Sequence, residues 1–404
     1  MEIEKQVEVL MQGTDYGDEE LKKAMAAELL ERLKEAKSEG RSLRVYAGYD
    51  PTSTDLHLGH TITMRKLRQF QDFGHHVIFL IGNYTSLIGD PSDKDKLRPI
   101  LSPEQVMENG ETYAEQAFRV LDRKKTEVLY NAEWLSKITF ADLIYLCSKF
   151  TVQQFINRDN FKKRWENGDP VYLHETFYAI MQAYDAYAMK VDVQVGGSDQ
   201  LFNIITAGRK LMSSFGEKPN IGVILGILPG TDGEIRMSKS LGNHIPINST
   251  ATDMFGKVMS IPDKAMGDYA RLATRWLPEE VESFMTDLQQ GKVHPRDGKM
   301  NLAQEITEIF YGKESAAQAR AEFVNVFQQG NLPEDMPSYT LTPEETVVDI
   351  LQKSGMAKSR GAARRLVDQG GVRFEGEKLS DPNQQLNAAG VLQVGKRRYL
   401  KLEK

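Results

Sequence analysis

The hydrophobic pattern of the first 245 residues predicts strands and helices in alternation. Short apolar runs at 43–48, 76–82, 126–130 and 191–195 are typical of buried strands. Helical apolar spacing occurs between them, at 58–73 and 103–121. Because strands that alternate with helices form parallel sheets, the pattern predicts an α/β fold. Ligands of such sheets bind beyond the carboxyl ends of the strands, so the loops there are candidate binding segments.

The remainder of the chain has a different character. After about residue 245 the pattern becomes helical, and residues 330–341 have the proline and polar content of a linker. From Tyr339 onward there are 12 Lys/Arg against 8 Asp/Glu, a net charge of +4, whereas the rest of the chain carries −10. A basic tail on an acidic body indicates an anionic partner, although a solvated lysine-rich end would have the same charge.

Composition excludes several classes of protein. A chain of 404 residues that is 40% hydrophobic is long enough to bury the cores of two or three domains. The single Cys147 excludes a disulfide framework and a cysteine-based zinc site, and its apolar neighbours favour an inert core thiol. The acidic N-terminus carries no signal or transit pattern, and no apolar run approaches about 18 residues. We therefore expect a cytoplasmic protein that does not enter a membrane.

The first loop with chemical content is DPTSTDLHLGH, at 50–60, between the first strand and its helix. His57 and His60 flank Gly59, whose small size lets a ligand approach a helix N-terminus, where phosphate is favoured. Alternatively, His57 and His60 could be ordinary residues that cap the helix. A zinc site is a weaker reading because no third ligand lies nearby.

The second loop is GEIRMSKSLGN, at 233–243, which by itself could be a solvated basic turn. Together with HLGH, about 180 residues earlier, it resembles the paired HIGH and KMSKS signatures of the class I aminoacyl-tRNA synthetases. Leucine replaces isoleucine in the first signature, and Arg236 replaces the opening lysine of the second. The charge is retained, but the planar guanidinium places it differently.

A third run, YAIMQAYD at 178–185, predicts a pocket wall. Tyr178, Gln182 and Asp185 are spaced i, i+4 and i+7, which is one face of a helix. Tyr184 and Tyr187 lie on neighbouring rows of that helix, which disfavours a simple solvent face. A polar stripe on an otherwise apolar helix therefore indicates a lined pocket.

The 178–185 run closely resembles the tyrosine-binding helix of tyrosyl-tRNA synthetases, as do Tyr46 and the GGSDQ run at 196–200. This resemblance covers about residues 45–243 and implies a Rossmann-like catalytic domain acting on L-tyrosine, ATP and tRNA(Tyr). It implies that tyrosine is held by Tyr46, Asp90, Tyr178, Gln182, Asp185 and Gln200. It implies that ATP is bound by Asp50, His57, Gly59, His60, Gly197, Asp199, Met237 and Lys239.

Within this resemblance each tyrosine group has its own partners. Tyr46 and Asp185 would hold the phenolic hydroxyl, and phenylalanine would leave both of them unpaired. Discrimination of this kind is known for tyrosyl-tRNA synthetases as a group, so no editing domain is required. The ammonium group would meet Asp90, Tyr178 and Gln182, the carboxylate would meet Gln200, and the ribose of the adenylate would meet Gly197 and Asp199.

The charged loop at 89–98 would be an ordinary turn without the resemblance, which assigns Lys94 and Arg98 to the pyrophosphate. The tyrosine carboxylate is already a nucleophile at neutral pH, so activation needs alignment and charge neutralisation rather than a general base. We assign that work to Thr52, His57, His60, Lys94, Arg98, Arg236 and Lys239. Mg²⁺ would accompany the ATP, and the sequence indicates no dedicated set of carboxylates to hold it.

The basic tail contains a helix, a serine start, a second basic helix, a double glycine and a strand at 346–373. It resembles an αL-type RNA-binding module shared with a small-subunit ribosomal protein. The resemblance implies that phosphates meet Lys358, Arg360, Arg364 and Arg365, whereas a solvated helix is the alternative.

The predicted organisation has four parts. They are a catalytic domain with an N-terminal helical extension (1–245), an α-helical anticodon-side domain (246–329), a linker (330–341) and a small α+β RNA-binding module (342–404). The resemblance also implies a homodimer, for which the segment 125–164 is the candidate interface.

Three other functions share part of this pattern. A tryptophanyl-tRNA synthetase has the same fold and signatures, but Tyr46 with Asp185 and the basic tail argue against it. A non-catalytic RNA-binding protein on a synthetase scaffold would be expected to lose a signature residue, and none is lost. A nucleotidyltransferase that makes a dinucleotide cofactor could contain an HxGH loop but would not need the tyrosine helix.

Overall fold

The computed structural model describes residues 1–51, 55–91, 102–327, 336–342, 344–395 and 398–404. These form two compact units, Met1–Ala317 and Gln318–Lys404. Three predicted site residues, Thr52, Lys94 and Arg98, lie outside the described residues, as does the first half of the predicted linker.

A five-stranded parallel sheet is the centre of the first unit. Its strands are β1 (Arg44–Tyr49), β2 (His76–Ile81), β3 (Thr126–Tyr130), β4 (Val193–Gly197) and β5 (Ile221–Leu225). The spatial order is β3-β2-β1-β4-β5, so the chain builds outward from β1 in one direction and then from β4 in the other. This reversal makes the carboxyl ends of β1 and β4 the switch point at which ligands of such sheets bind.

The helices of this unit cover the sheet and continue beyond it. They are α1 (Ile3–Met11), α2 (Glu19–Ser38), α3 (Leu58–Asp72), α4 (Pro103–Ala117), α5 (Ala132–Leu135), α6 (Phe140–Cys147), α7 (Val152–Ile156), α8 (Asp159–Glu166), α9 (Leu173–Ala188), α10 (Arg209–Ser214), α11 (Ala251–Met259), α12 (Met266–Ala273), α13 (Pro278–Gln289) and the part of α14 (Pro295–Phe327) up to Ala317. A π-helical turn, Phe202–Gly208, precedes α10, and α14 is interrupted at Gly312. Among the described residues, no helix combines the length and apolar character needed to cross a membrane.

The predicted α/β fold is confirmed, and the fourth strand and one helix differ from their predicted bounds by more than one residue. The fourth strand begins at Val193 rather than at 191, because Val191 belongs to the turn after α9, where its amide donates to Ala186 O. The helix predicted over 103–121 ends at Ala117. Val120 and Leu121 remain buried in the tight turn that follows, so the apolar pattern continues past the last helical residue.

Apolar side chains of α9 attach that helix to the rest of the unit. Ala186 packs in one cluster with Tyr46 of β1 and Ile78 of β2. Ala183 packs in another, to which Cys147 adds a half-buried thiol. Burial raises the pKa of that thiol, which keeps it protonated. The predicted apolar setting of Cys147 is therefore observed, although its burial is only partial.

The second unit has its own sheet and its own core. Its elements are β6 (Ser338–Thr340), α15 (Val347–Lys353), α16 (Arg360–Asp368), β7 (Val372–Phe374), β8 (Glu377–Lys378), β9 (Gly390–Val394) and β10 (Arg398–Glu403). The sheet order is β6-β10-β9-β7-β8, and only the β6–β10 pair is parallel. Buried side chains of α15, such as Ile350 and Leu351, pack with Val367 of α16 and Leu392 of β9. The predicted small α+β C-terminal fold is confirmed.

The candidate active site

A cleft of about 620 Å³ is lined by the carboxyl ends of β1 and β4 and by α3 and α9. It brings together every predicted tyrosine-binding, ATP-binding and catalytic residue that the structure describes. These are Tyr46, Asp50, His57, Gly59, His60, Asp90, Tyr178, Gln182, Asp185, Gly197, Asp199, Gln200, Arg236, Met237 and Lys239. Segments more than 190 residues apart in sequence therefore meet at the predicted edge of the sheet.

A larger depression of about 710 Å³ includes the first residues of β1 and β2, at the amino ends of the strands. Arg32 and Arg41 of its lining form ion pairs with Asp192 at 3.1 and 2.9 Å. The backbone amide of Arg44 donates to the same carboxylate. These contacts give the depression a structural explanation, and it contains none of the signature residues.

Helix α9 presents the predicted polar face to the cleft. Its residues Tyr178, Gln182 and Asp185 all line the cleft, while Ala179 and Ala183 pack into the apolar core behind them. The predicted pocket wall is therefore observed. Because α9 is fixed by buried apolar side chains, its polar side chains are held by a rigid element rather than by a loop.

The carboxylate of Asp185, only 2% exposed, lies at the buried end of the cleft. It accepts hydrogen bonds from Trp134 Nε1 at 2.7 Å and from Asn131 Nδ2 at 3.2 Å. Burial raises the pKa of Asp185 to about 8, and these two hydrogen bonds oppose the shift. Tyr46 is fully buried, and burial followed by the nearby Asp185 raises the pKa of its hydroxyl. This end of the cleft is therefore a desolvated pair of groups able to bind a hydroxyl.

Asn131 and Trp134 were missed in the sequence. Asn131 follows the last residue of β3, and its side chain donates to Thr85 Oγ1 at 3.1 Å as well as to Asp185. Trp134 lies one turn later, in α5. The sequence contained only a weak indication for Asn131, as a polar residue directly after a strand at the edge where the cleft was expected.

Two further carboxylates line the middle of the cleft. Tyr178 donates its hydroxyl to Asp50 Oδ2 at 2.9 Å, so Asp50, predicted to bind ATP, also contacts the predicted tyrosine set. Asp90 accepts a hydrogen bond from the Gln200 amide and lies 3.5 Å from Arg158 Nη2. Several acidic groups close together favour a cationic ligand group in this part of the cleft.

The first signature caps α3. His57 is its N-cap residue, and the His57 amide donates to His60 Nδ1 at 3.2 Å. Burial, followed by the neighbouring His60 and His244, lowers the pKa of His57 to about 2, so this imidazole is neutral at physiological pH. Its Nδ1 is buried and has no hydrogen-bond partner among the described residues. A neutral imidazole at a helix N-terminus can donate one hydrogen bond to a phosphate oxygen.

The second signature lies against the first. Met237 is buried, and its Sδ accepts hydrogen bonds from the amides of Gly59 at 3.4 Å and Ile245 at 3.5 Å. Lys239 Nζ lies 3.4 Å from Asp55 Oδ2, next to the first signature. The two loops therefore share one site, as their resemblance to the paired signatures implied.

The predicted RNA-binding cations, Lys358, Arg360, Arg364 and Arg365, are all exposed, on α16 or just before it. Ser359 caps this helix by accepting from the amide of Ala362 at 3.2 Å. Arg360 forms an ion pair with Asp349, and Arg364 donates to Asn383 at 3.2 Å. Their heads lie at the surface, where such contacts contribute little stability and exchange readily for phosphate.

Comparison with protein families gives two matches that together span most of the chain. The family described as tRNA synthetases class I (W and Y) matches residues 37–328. The family described as the tyrosine–tRNA ligase SYY-like C-terminal domain matches residues 327–400.

Individual relatives agree with these families. The chain is 46% identical to the tyrosine–tRNA ligase of Thermotoga maritima, covering 93% of both chains, and 43% identical to that of Carboxydothermus hydrogenoformans, covering 99% and 98%. Among solved structures, a C-terminally truncated Aspergillus nidulans mitochondrial tyrosyl-tRNA synthetase matches with a TM-score of 0.62 at 22% identity, covering 80% of this chain and 94% of that chain. The Archaeoglobus fulgidus enzyme complexed with L-tyrosine matches with a TM-score of 0.60 at 20% identity, covering 79% and 100%. The solved structures support the fold, and the sequence matches show that the chain belongs to the tyrosine–tRNA ligase family of class I tRNA synthetases.

Proposed function

We propose that the cleft activates L-tyrosine with ATP, forming tyrosyl-adenylate and pyrophosphate, and that tyrosine then passes to the 3′ end of tRNA(Tyr). The observation that carries this proposal is the buried Tyr46–Asp185 pair in the same cleft as both signatures. A desolvated carboxyl group and a phenol suit a ligand hydroxyl, because a hydroxyl can exchange hydrogen bonds with both of them. Tryptophan has no hydroxyl, so this feature favours tyrosine over the other amino acid of the family.

The middle of the cleft suits the amino-acid backbone. Asp90 and Tyr178 would meet the ammonium group, together with Gln182, whose Oε1 is buried without a partner among the described residues. Gln200, which donates to Asp90, would lie beside the carboxylate. Gly197 and Asp199, at the end of β4, would meet the ribose.

The two signatures would act on the phosphates. His57 and His60 would donate hydrogen bonds at the N-terminus of α3, and Arg236 and Lys239 would neutralise negative charge as pyrophosphate leaves. The tyrosine carboxylate attacks the α-phosphorus of ATP, the bond to pyrophosphate breaks, and no proton need be removed from the nucleophile. Thr52, Lys94 and Arg98, in segments that the structure does not describe, are proposed to complete this set.

Magnesium would enter with ATP as part of the substrate, held mainly by phosphate oxygens. Within the described ranges, no group of three or more His, Cys, Asp or Glu side chains is arranged to hold a metal ion. The acidic side chains of the cleft have protein partners, as Asp50 has in Tyr178.

The C-terminal unit would bind the RNA through the four predicted cations. Because its apolar core is self-contained, we propose that it is a separate module, with the division into 1–245, 246–329, 330–341 and 342–404. We also infer that the enzyme works in the cytoplasm.

A second copy of the chain is the proposed partner of an apolar surface on the segment 140–173, which ends at the first residue of α9. Its exposed side chains are Phe140, Ile144, Tyr145, Val152, Trp165, Tyr172 and Leu173. Phe140 and Leu173 are 78% and 74% exposed. A concentration of this kind is unusual on a monomer surface and is typical of subunit interfaces. It overlaps the predicted interface, 125–164, and extends it toward α9.

Binding of tyrosine, tryptophan and phenylalanine to the whole protein, compared by calorimetry, tests the proposed pocket. Tyrosine should bind at least about tenfold more tightly than the other two, since neither of them offers a hydroxyl to the Tyr46–Asp185 pair. Equal affinities would remove this pair from amino-acid selection.

A further inference from the structure

The side chain of Asn243 forms the base of the second-signature loop, which comprises residues 232–240. It is 6% exposed, and unlike Arg236 and Lys239 it does not line the cleft. Its Oδ1 accepts from the Ser238 amide at 2.8 Å, and its Nδ2 donates to Arg236 O at 3.2 Å. One buried amide therefore bonds the backbone on either side of Met237.

The same amide also reaches the start of the loop. Asn243 Nδ2 donates to Asp232 Oδ2 and lies 3.4 Å from Ile235 O. Asp232 in turn accepts from the amides of Glu234 and Ile235 through Oδ1, at 2.8 Å each. Asp232 and Asn243 thus tie both ends of the loop together.

The chain makes room for this contact. A Cβ atom at Gly230 would lie 2.3 Å from Cγ of Asn243, so only glycine allows the amide to occupy this position. The Thr231 amide donates to Asn243 O at 2.8 Å, which fixes the backbone of Asn243 as well.

The segment that follows Asn243 connects the loop to the first signature. The Leu58 amide donates to Ile245 O at 2.8 Å, and His57 forms an antiparallel bridge with Pro246. Asn243 therefore stands where the second signature joins the segment that is paired with the first.

We infer that Asn243 is a positioning residue for tyrosine activation, holding the second-signature loop so that Arg236 and Lys239 are directed at the phosphates next to His57. It touches no substrate, and it acts through the loop backbone. The inference rests on the proposed roles of Arg236 and Lys239. A misplacement of about 1 Å in such charges is enough to lower a rate on the order of 10²-fold.

Three variants of the whole protein test this inference, with pre-steady-state formation of tyrosyl-adenylate as the readout. Asn243→Ala removes every side-chain bond and should lower the activation rate on the order of 10²-fold, with the KM for tyrosine changed by less than about twofold. Asn243→Asp keeps the acceptor for Ser238 but opposes the Asp232 carboxylate, and should be at least as slow. The exchange Asp232→Asn with Asn243→Asp restores one hydrogen bond in the reverse direction and should recover about tenfold of the lost rate.

Controls separate positioning from general damage and from a wrong site. Asn301→Ala, the same truncation at an exposed position of α14, should keep the wild-type rate. Trypsin should cleave after Arg236 and Lys239 faster in Asn243→Ala than in the wild-type protein. Lys239→Ala at the wild-type rate would overturn the proposed site itself.

Two results would overturn the role of Asn243 while leaving the site intact. One is a normal rate in Asn243→Ala when Lys239→Ala is slow. The other is an equal loss of activation rate and tyrosine affinity in Asn243→Ala with no recovery in the exchanged pair, which would indicate a purely structural role.

Discussion

The indole nitrogen of Trp134 donates a 2.7 Å hydrogen bond to Oδ1 of Asp185, at the buried end of the cleft. Asn131 supplies a second donor to the other carboxylate oxygen, at 3.2 Å. The two donors come from the residue after β3 and from α5, whereas Asp185 lies on α9, so contacts between separate elements set the position of the carboxylate. A group fixed in this way can distinguish a ligand that offers a hydroxyl from one that does not.

Replacement of Asp185 by asparagine tests the amino-acid pocket. Asp185→Asn should lower the preference for tyrosine over phenylalanine, measured as the ratio of their kcat/KM values, by at least about tenfold. The KM for ATP should change much less, because only a contact with the amino acid is altered. An unchanged tyrosine preference would remove Asp185 from the pocket.

Replacement of His57 and Lys239 tests the phosphate site. His57→Ala and Lys239→Ala should each lower the activation rate on the order of 10² to 10³-fold and leave tyrosine affinity nearly unchanged, because both act on charge that develops in the transition state. Since the pKa of His57 is lowered to about 2, its titration should not appear in the rate between about pH 6 and 8. Comparable losses in tyrosine binding would point to a structural role.

The buried Lys66 predicts how the free energy of unfolding depends on pH. Its ammonium group donates to Val9 O at 3.0 Å and Gln12 O at 3.1 Å, and burial lowers its pKa from 10.5 to about 7. The folded protein therefore binds fewer protons than the unfolded chain between these values, so stability should rise with pH from about 7 to 10.5.

Lys66→Met removes this titration. The stability of the wild type relative to Lys66→Met should increase with pH across that window, by at most about 1.4 kcal/mol per unit. Urea unfolding of both proteins at pH 7, 8 and 9 measures the difference, with the exposed Lys23→Met as control. A constant difference would show that Lys66 titrates normally in the folded protein.

Truncation after about Asp335 tests whether adenylate formation and tRNA binding belong to different units. Removal of the module should leave adenylate formation intact and impair tRNA charging, because the module has its own core and carries the predicted phosphate contacts. Added salt should likewise reduce charging by the full-length protein more than it reduces adenylate formation. Normal charging by the truncated protein would exclude this role. Loss of both reactions would show that the chain was cut inside a segment that the catalytic unit needs.

One charged residue in the apolar surface at 140–173 tests whether this surface forms a dimer interface. Phe140→Asp should convert a dimer into a monomer in sedimentation velocity, because the phenyl ring is 78% exposed and would be buried by a second copy. The matched control is Met107→Asp, at a 39% exposed position of α4 outside this surface. A wild-type protein that sediments as a monomer at all concentrations would contradict the proposal.

Much of the site could be predicted because its residues belong to local patterns. Tyr178, Gln182 and Asp185 share one helix face, and their periodicity already indicated a pocket wall. His57 and Gly59 could be placed at a helix N-terminus for the same reason. Each of these inferences depends on residues within about two turns of one another.

Other relationships depend on contacts between distant segments and left no local pattern. Trp134 precedes Asp185 by 51 residues, and Tyr178 follows its partner Asp50 by 128. Asn243 was recognised only as the end of a motif, because its importance comes from the bonds that a folded loop makes. Sequence spacing carries no information on such pairs until the sheet order is known.

The exchange of labelled pyrophosphate into ATP by the wild-type protein tests the central claim most directly, because it requires amino-acid selection and both signatures at once. We expect exchange that depends on tyrosine and on Mg²⁺, with little or none when tryptophan or phenylalanine replaces tyrosine at the same concentration. Exchange supported by tryptophan, or no exchange with any amino acid, would contradict it.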